Sequence, residues 1–154
     1  MSWSFFISTA LGALIAVLSN LVADRTRWKH EEQGRQQEIK RQVYAEYLSA
    51  LSRTDNALRD TARHMEASQA DRARTATETF RNSGCYELRY QLGIIAPDGV
   101  VDVATAALHR LRDFRDAIES GIAWQDEAYR EQRDQWYSVF PALRQCMRQD
   151  LTRK

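Results

Sequence analysis

Glycine and proline are scarce in this 154-residue chain, which has only 6 glycines and 2 prolines. No stretch alternates polar and apolar side chains over a length that would form a convincing strand. A sheet-based fold is therefore not predicted. The length suits about one domain, at the usual ~100–200 residues each, so a multidomain enzyme is not expected either.

The residues that usually build catalytic and metal sites are also few. Cys85 and Cys146 belong to no C-x-x-C pair, and each is interpreted as a small buried hydrophobe. The histidines His30, His64 and His109 lack the Glu-x-x-His and His-Glu-x-x-His spacings, and the glycines form no phosphate-binding loop. We therefore predict no enzyme activity, no cofactor and no metal.

Charge of one sign is not in excess, because 22 Lys+Arg face 21 Asp+Glu and the formal net charge is +1. Without a positive field, no nucleic-acid partner is predicted. Only three of the basic residues are lysines, and this preference for arginine, together with abundant alanine, is typical of a GC-rich bacterial source.

The first 23 residues contain no charged side chain at all. From Trp3 to Ala23 the chain has 21 uncharged residues, which as a helix would measure about 31 Å, the thickness of a hydrocarbon core. We predict a transmembrane helix over residues 1–23. A cleaved signal peptide is disfavoured because no lysine or arginine precedes the run and Leu21-Val22-Ala23 is a poor cleavage site.

The orientation of this span follows from its flanks. Six lysines and arginines follow it closely and none precedes it, which predicts a single-pass protein of the plasma membrane, here the bacterial inner membrane, with a cytoplasmic C-terminal domain. The opposite topology, with the body outside, is the alternative. The predicted lipid-interface residues are Trp3, Arg25, Arg27, Trp28 and Lys29.

Small or polar residues recur every four positions within the span. They lie along one stripe of the helix, where two backbones can approach closely in lipid, and we predict self-association and hence a homo-oligomer. The stripe consists of Ser4, Ser8, Gly12, Ala16 and Asn20.

Residues 24–38 carry one large apolar side chain, Trp28, and are predicted to form a charged juxtamembrane stalk. Beyond Glu38 the apolar residues are spaced by three and four, the period of helices that bury one face, so residues 39–154 are predicted to form a cytoplasmic helical bundle. The predicted helices are Ile39–Glu66, Gln69–Ile95, Gly99–Ser120 and Gln125–Thr152.

Turn signals separate these four segments. A capping pattern begins at Ser68, Pro97 and Gly99 lie between the second and third segments, and Gly121 ends the third. Pro141 is expected to kink the fourth helix or make it restart near Phe140, because proline cannot donate the backbone hydrogen bond.

Four helices of similar length with short connections predict an all-α, antiparallel four-helix bundle; an elongated coiled-coil dimer is the alternative. The aromatic residues of the bundle are interpreted as core and boundary packing, with anchoring of a partner as the alternative. These residues are Tyr86, Tyr90, Trp124, Tyr129, Trp136 and Tyr137.

The predicted anchor and the lack of a catalytic motif favour a protein–protein interaction or scaffolding module, with the lipid bilayer and an unidentified protein as partners. The alternative is a sensor or effector of envelope stress or phage defence, in which oligomerisation of the span perturbs the membrane.

Overall fold

The computed structural model of the chain describes residues 34–64 and 66–153. These residues form helices joined by short turns, and no strand occurs within the two ranges. The all-α prediction is thus confirmed for the part of the chain described. In chain order the helices are α1 (34–63), α2 (Gln69–Arg81), α3 (Cys85–Ile95), α4 (Asp98–Glu119) and α5 (Glu127–Thr152).

The chain divides into two compact units, Met1–Ile39 and Lys40–Lys154. In the first unit, residues 34–39 are described and are helical. The predicted span, 1–23, and the first ten residues of the predicted stalk lie outside the described residues. Among the helices that are described, none has both the length and the apolar content needed to cross a membrane.

The prediction of one helix over Gln69–Ile95 is wrong, because the chain turns between Arg81 and Cys85 and forms α2 and α3. Gly84 adopts a left-handed φ of 69°, a conformation that interrupts an α-helix and that glycine enters without steric cost. The backbone N–H of Asn82 donates to the Glu78 carbonyl, the N–H of Ser83 donates to the Phe80 carbonyl, and these two bonds close α2.

Pro141 lies inside α5, which runs unbroken from Glu127 to Thr152, so the predicted restart near Phe140 does not occur. The hydrogen bond that proline cannot make is the one to the carbonyl four residues earlier, at Tyr137. Both residues are exposed, so this carbonyl lies on the side of the helix where water can bond it. The helix therefore tolerates the proline.

Two predicted helix boundaries are confirmed by their capping bonds. The hydroxyl of Ser68 accepts from the backbone N–H of Asp71 at 3.1 Å at the start of α2. Gly121, with φ 107°, follows the end of α4. The amide of Gln69 donates to the carbonyls of Ile118 and Glu119, at 3.1 and 3.0 Å, and so satisfies two carbonyls that end α4.

In the second unit, α1 and α5 run in opposite directions. Lys40 and Tyr44, early in α1, bond Asp150 near the end of α5. Further along α1, the guanidinium of Arg59 lies over the ring of Tyr137, which is much earlier in α5. Residues late in α5 therefore contact residues early in α1, and earlier residues of α5 contact later residues of α1, as in an antiparallel pair.

The other adjacent helices are antiparallel as well. Together, α2 and α3 occupy the place of the second helix in a four-helix bundle. The α1–α4 diagonal is tied by the Tyr47 hydroxyl, which donates to the Ala104 carbonyl at 2.8 Å. The pairs that fix the directions are Gln69–Ile118 and Arg89–Thr105 for α2 and α3 on α4, and Phe114–Tyr129 and Gly99–Cys146 for α4 on α5.

Apolar side chains from all five helices meet in one core. The predicted α4 stripe is buried throughout: Val100, Ala104, Ala107, Leu111, Phe114 and Ile118. The core also buries polar residues, including Thr54, Asp55 and Arg59 of α1.

Candidate functional site

The residues predicted to act in lipid and in self-association lie outside the described residues. They are Trp3, Ser4, Ser8, Gly12, Ala16, Asn20, Arg25, Arg27, Trp28 and Lys29. The candidate sites described below all belong to the second unit.

Histidine and cysteine side chains form no metal-holding group with carboxylates in the ranges 34–64 and 66–153. The Nδ1 atom of His64 lies 3.0 Å from the Asp60 carbonyl of its own helix. Cys85 is buried, as predicted, and its sulfur lies 3.6 Å from the Thr54 hydroxyl. The same prediction is wrong for Cys146, which is only partly buried because it lies at the edge of the core, with its sulfur 3.8 Å from the Gly99 carbonyl. Asp113 lies 3.7 Å from a guanidinium nitrogen of Arg110, an ordinary surface contact.

A first polar group, which we call the end cluster, joins the early part of α1 to the end of α5. It consists of Lys40, Tyr44 and Asp150. The Tyr44 hydroxyl donates to Asp150 Oδ2 at 2.6 Å, and Lys40 Nζ donates to the same oxygen at 2.9 Å. Burial opposes ionisation of Asp150, but the bonds from Tyr44 and Lys40 outweigh it and lower the pKa of the carboxyl. The carboxylate is thus the stable form.

Burial, reinforced by the bond to Asp150, raises the pKa of Tyr44 far above its usual value. The phenol therefore stays protonated and keeps its hydrogen to donate. Tyr44 is 2 % exposed and the Asp150 side chain is 13 % exposed, so the bond is largely shielded from water.

A second polar group, the mid-helix cluster, lies farther along the α1–α5 interface. It consists of Asp55, Arg59, Tyr129 and Tyr137. Arg59 Nε donates to Asp55 Oδ2 at 2.8 Å, and both side chains are less than a tenth exposed. The Arg59 guanidinium carbon lies 5.0 Å from the centre of the Tyr137 ring, a cation–π distance. The Tyr129 ring packs edge-on against Phe114.

Three buried polar atoms of the mid-helix cluster have no hydrogen-bond partner among the described residues. They are Asp55 Oδ1, Arg59 Nη2 and Tyr129 Oη. Burial raises the pKa of Asp55, although the bond and the charge of Arg59 oppose the rise. The ion pair is therefore only partly compensated by bonds within the bundle.

The third feature is an exposed apolar surface on α3, which we call the α3 face and define by Tyr86, Tyr90, Gly93 and Ile94. Tyr86 is 42 %, Tyr90 63 % and Ile94 85 % exposed. Anchoring of a partner was the alternative interpretation of the two tyrosines from the sequence, whereas the apolar periodicity did not single out Ile94. Tyr129 and Trp136, by contrast, are buried as core packing predicts.

A shallow depression follows the outer side of α5. It is lined by three acidic residues, one arginine and two neutral polar residues: Glu127, Glu131, Asp134, Arg130, Gln135 and Ser138.

Comparisons with protein-family models, with curated proteins and with solved structures find no match to this chain.

Proposed function

We propose that this chain is a single-pass membrane protein without catalytic activity, whose helical bundle serves as a protein–protein interaction or scaffolding module on the cytoplasmic side of the bacterial inner membrane. The observation that carries the proposal is the run from Trp3 to Ala23, 21 residues with no charged side chain. A run of this length matches the thickness of the hydrocarbon core of a bilayer.

The bundle supports an interaction role through what it buries and what it leaves exposed. Its hydrophobic cluster is continuous across the five helices and fixes their positions, so the domain has a defined surface on which partners can dock. On that surface the α3 face exposes three large apolar or aromatic side chains close together. Aromatic residues of this kind are enriched at the centres of protein interfaces.

Self-association is proposed to begin in the anchor, along the stripe from Ser4 to Asn20. Small side chains allow close helix contact in lipid, and Ser8 and Asn20 each supply a polar group for a bond across the contact, worth about 0.6–2 kcal/mol. The predicted lipid-interface residues hold the helix at the two boundaries of the bilayer, with Trp3 at one end and Arg25, Arg27, Trp28 and Lys29 at the other.

The anchor and its orientation are tested by fractionation and proteolysis of the full chain in cells. We expect the chain in the membrane fraction, protected in intact spheroplasts and digested in inverted vesicles. Full-length protein in the soluble fraction, or digestion of the body in intact spheroplasts, would overturn the proposal.

The scaffolding role is tested by cross-linking and copurification in native membranes. We expect a cross-linked homo-oligomer that Gly12→Leu reduces. Ala10→Leu, which enlarges a small residue on the opposite side of the predicted helix from Gly12, should leave it intact. Recovery of monomer alone, with no partner, would end the scaffolding proposal.

Expression with a dye-leak assay separates the scaffold from a membrane-perturbing effector. A scaffold leaves the membrane tight whether or not Gly12 is replaced. Leakage that disappears in Gly12→Leu would instead establish the effector.

A further inference from the structure

The helix α3 has two apolar sides, although a helix at the surface of a bundle needs only one. Its inner side buries Cys85 and Leu92 in the core. Its outer side is the α3 face, where Tyr86, Tyr90 and Gly93 follow one another at steps of four and three, with Ile94 beside them. Steps of three and four place side chains along a seam that a second helix can pack against.

The shape of the α3 face admits a close neighbour. A methyl group added at Gly93 would meet no atom within 4 Å, so the backbone is open to approach at that point. Ile94, next to it, is the most exposed of the large apolar residues described, at 85 %. Leaving such a side chain in water forgoes the favourable free energy of burying it.

Charges of opposite sign flank this apolar surface. At about 100° per residue, Glu87 lies on one side of the α3 face and Arg89 on the other. The Arg89 guanidinium carbon lies 5.6 Å from the centre of the Tyr90 ring, and its Nε donates to Thr105 on α4 at 3.1 Å. The positive flank is therefore held in place by the bundle.

These flanks select one pairing of two identical helices. When two copies of α3 lie side by side in the same direction about a two-fold axis, the Glu87 flank of each meets the Arg89 flank of the other. When they lie in opposite directions, each flank meets its own copy, and like charges face one another. Charge complementarity thus favours the parallel pairing.

We propose that the α3 face is a homotypic contact, in which α3 of one copy packs in parallel against α3 of a second copy. The inference rests on the proposed membrane anchor in one respect. Copies inserted in one membrane with one topology present the α3 face at equal height, as a parallel pairing requires.

The size of the α3 face explains why the anchor matters. A fully buried aromatic side chain contributes roughly 150–250 Å². Tyr86 and Tyr90 expose only 42 % and 63 % of their surface, so together with Ile94 they fall well short of the ~800 Å² per partner of a stable complex. The contact is therefore weak between free molecules. Confinement by the anchor raises the effective concentration of the second face and makes the pairing intramolecular in effect.

The test is cysteine cross-linking of the full chain in native membranes, in a Cys146→Ser background that leaves the buried Cys85. Tyr90→Cys probes the α3 face, and Gln91→Cys, exposed on the same helix but turned about 100° away, is the matched control. Ser8→Cys probes the anchor separately. Far-UV circular dichroism of each variant checks that the bundle is intact.

We expect Tyr90→Cys to give several-fold more cross-linked homodimer than Gln91→Cys, and Ser8→Cys to cross-link as well. If Ser8→Cys cross-links but Tyr90→Cys does not exceed Gln91→Cys, the α3 contact is wrong and the anchor proposal stands. If all three variants give only monomer, both the α3 contact and the proposed self-association of the anchor are wrong. An adduct of Tyr90→Cys with a different protein would replace the second copy by that partner.

The parallel arrangement has its own readout. Glu87→Arg places like charges across the contact and should lower the Tyr90→Cys dimer yield several-fold, and adding Arg89→Glu should restore it. A yield that Glu87→Arg leaves unchanged would overturn the parallel pairing.

Discussion

The end cluster and the mid-helix cluster both join α1 to α5, and both contain a carboxylate, a cation and a tyrosine, but they differ in how fully their bonds are made. In the end cluster, one Asp150 oxygen accepts from both Tyr44 and Lys40. In the mid-helix cluster, Asp55 and Arg59 share a single bond, and each keeps a buried atom without a partner in the described structure.

Polar groups at one interface can therefore play opposite energetic roles. Bonds to a charged group stabilise by about 1.5–3 kcal/mol when they are made, whereas a buried polar atom without a bond costs about 1–3 kcal/mol. The end cluster should therefore fix how α1 and α5 align, while the mid-helix cluster should be tolerated at a cost. The following substitutions test this contrast, and the free energy of unfolding of the full chain in detergent micelles is the measure for each.

The largest expected effect is that of Arg59→Ala. It leaves Asp55 as an unpaired buried charge, and breaking one side of a buried ion pair costs about 3–5 kcal/mol. Urea denaturation followed by circular dichroism measures the loss. Arg74→Ala, which breaks an exposed pair with Asp71 on α2, is the control and should cost less than about 1 kcal/mol.

The double variant Asp55→Leu with Arg59→Met sharpens this result. Replacing both members of a buried ion pair by apolar residues is often neutral or stabilising. We expect the double variant to be far more stable than Arg59→Ala. A double variant as unstable as the single one would show that the mid-helix cluster is fully compensated.

Next in size is Asp150→Asn, which weakens two bonds of the end cluster. We expect a loss of about 2 kcal/mol at neutral pH, because bonds to a charged acceptor are lost. Asp134→Asn, on the same helix but with a side chain 66 % exposed, is the matched control and should change stability little. Equal effects of the two substitutions would contradict the role of the end cluster.

The two tyrosines give a smaller but more direct contrast. Tyr44→Phe removes a hydroxyl that bonds Asp150 and should cost about 1–2 kcal/mol. Tyr129→Phe removes a buried hydroxyl without a partner in the described structure and should leave stability unchanged or raise it. A larger loss for Tyr129→Phe than for Tyr44→Phe would reverse the ranking of the clusters.

The smallest effect is in the pH dependence. Because the folded-state pKa of Asp150 is lowered, its stabilisation is complete above the ordinary carboxyl pKa of about 4 and is lost as the pH falls through the folded value. The stability difference between the wild type and Asp150→Asn should therefore shrink on acidification.

The pH dependence of stability that Asp55 contributes has the opposite sign. Its folded-state pKa is raised, so the folded state binds the proton more tightly, and the contribution of Asp55 to stability falls as the pH rises through that value. The free energy of unfolding of the Asp55→Leu, Arg59→Met double variant, relative to that of the wild type, should therefore increase as the pH rises through the folded-state pKa of Asp55. Identical pH profiles for the Asp150 and Asp55 variants would contradict this assignment.

The α4 stripe was predictable from sequence because its apolar spacing is regular and all its members are buried. The cap at Ser68 was predictable because it depends on residues close in sequence: the serine hydroxyl accepts from the backbone N–H of the acidic residue three positions later. The division of α2 from α3 was missed, although Asn82-Ser83-Gly84 is a turn signal, because the apolar spacing continues across it.

The mid-helix cluster was harder to predict from the sequence. The apolar stripe of α1 passes from Leu51 to Leu58 through Thr54 and Asp55, and this polar gap was the available signal. That the gap is filled by an Asp55–Arg59 pair depends on the side chains of α5 that enclose it. Periodicity reports which face is buried and says nothing of such tertiary partners.

The bond between Lys40 and Asp150 places the entry of the chain into the bundle beside its exit. A mechanical load applied between the start of α1 and a cargo fused to the C-terminus would separate the two helices like a zipper, one contact after another. Rupture would begin at the end cluster, and the force needed would stay low, because neighbouring contacts would not share the load.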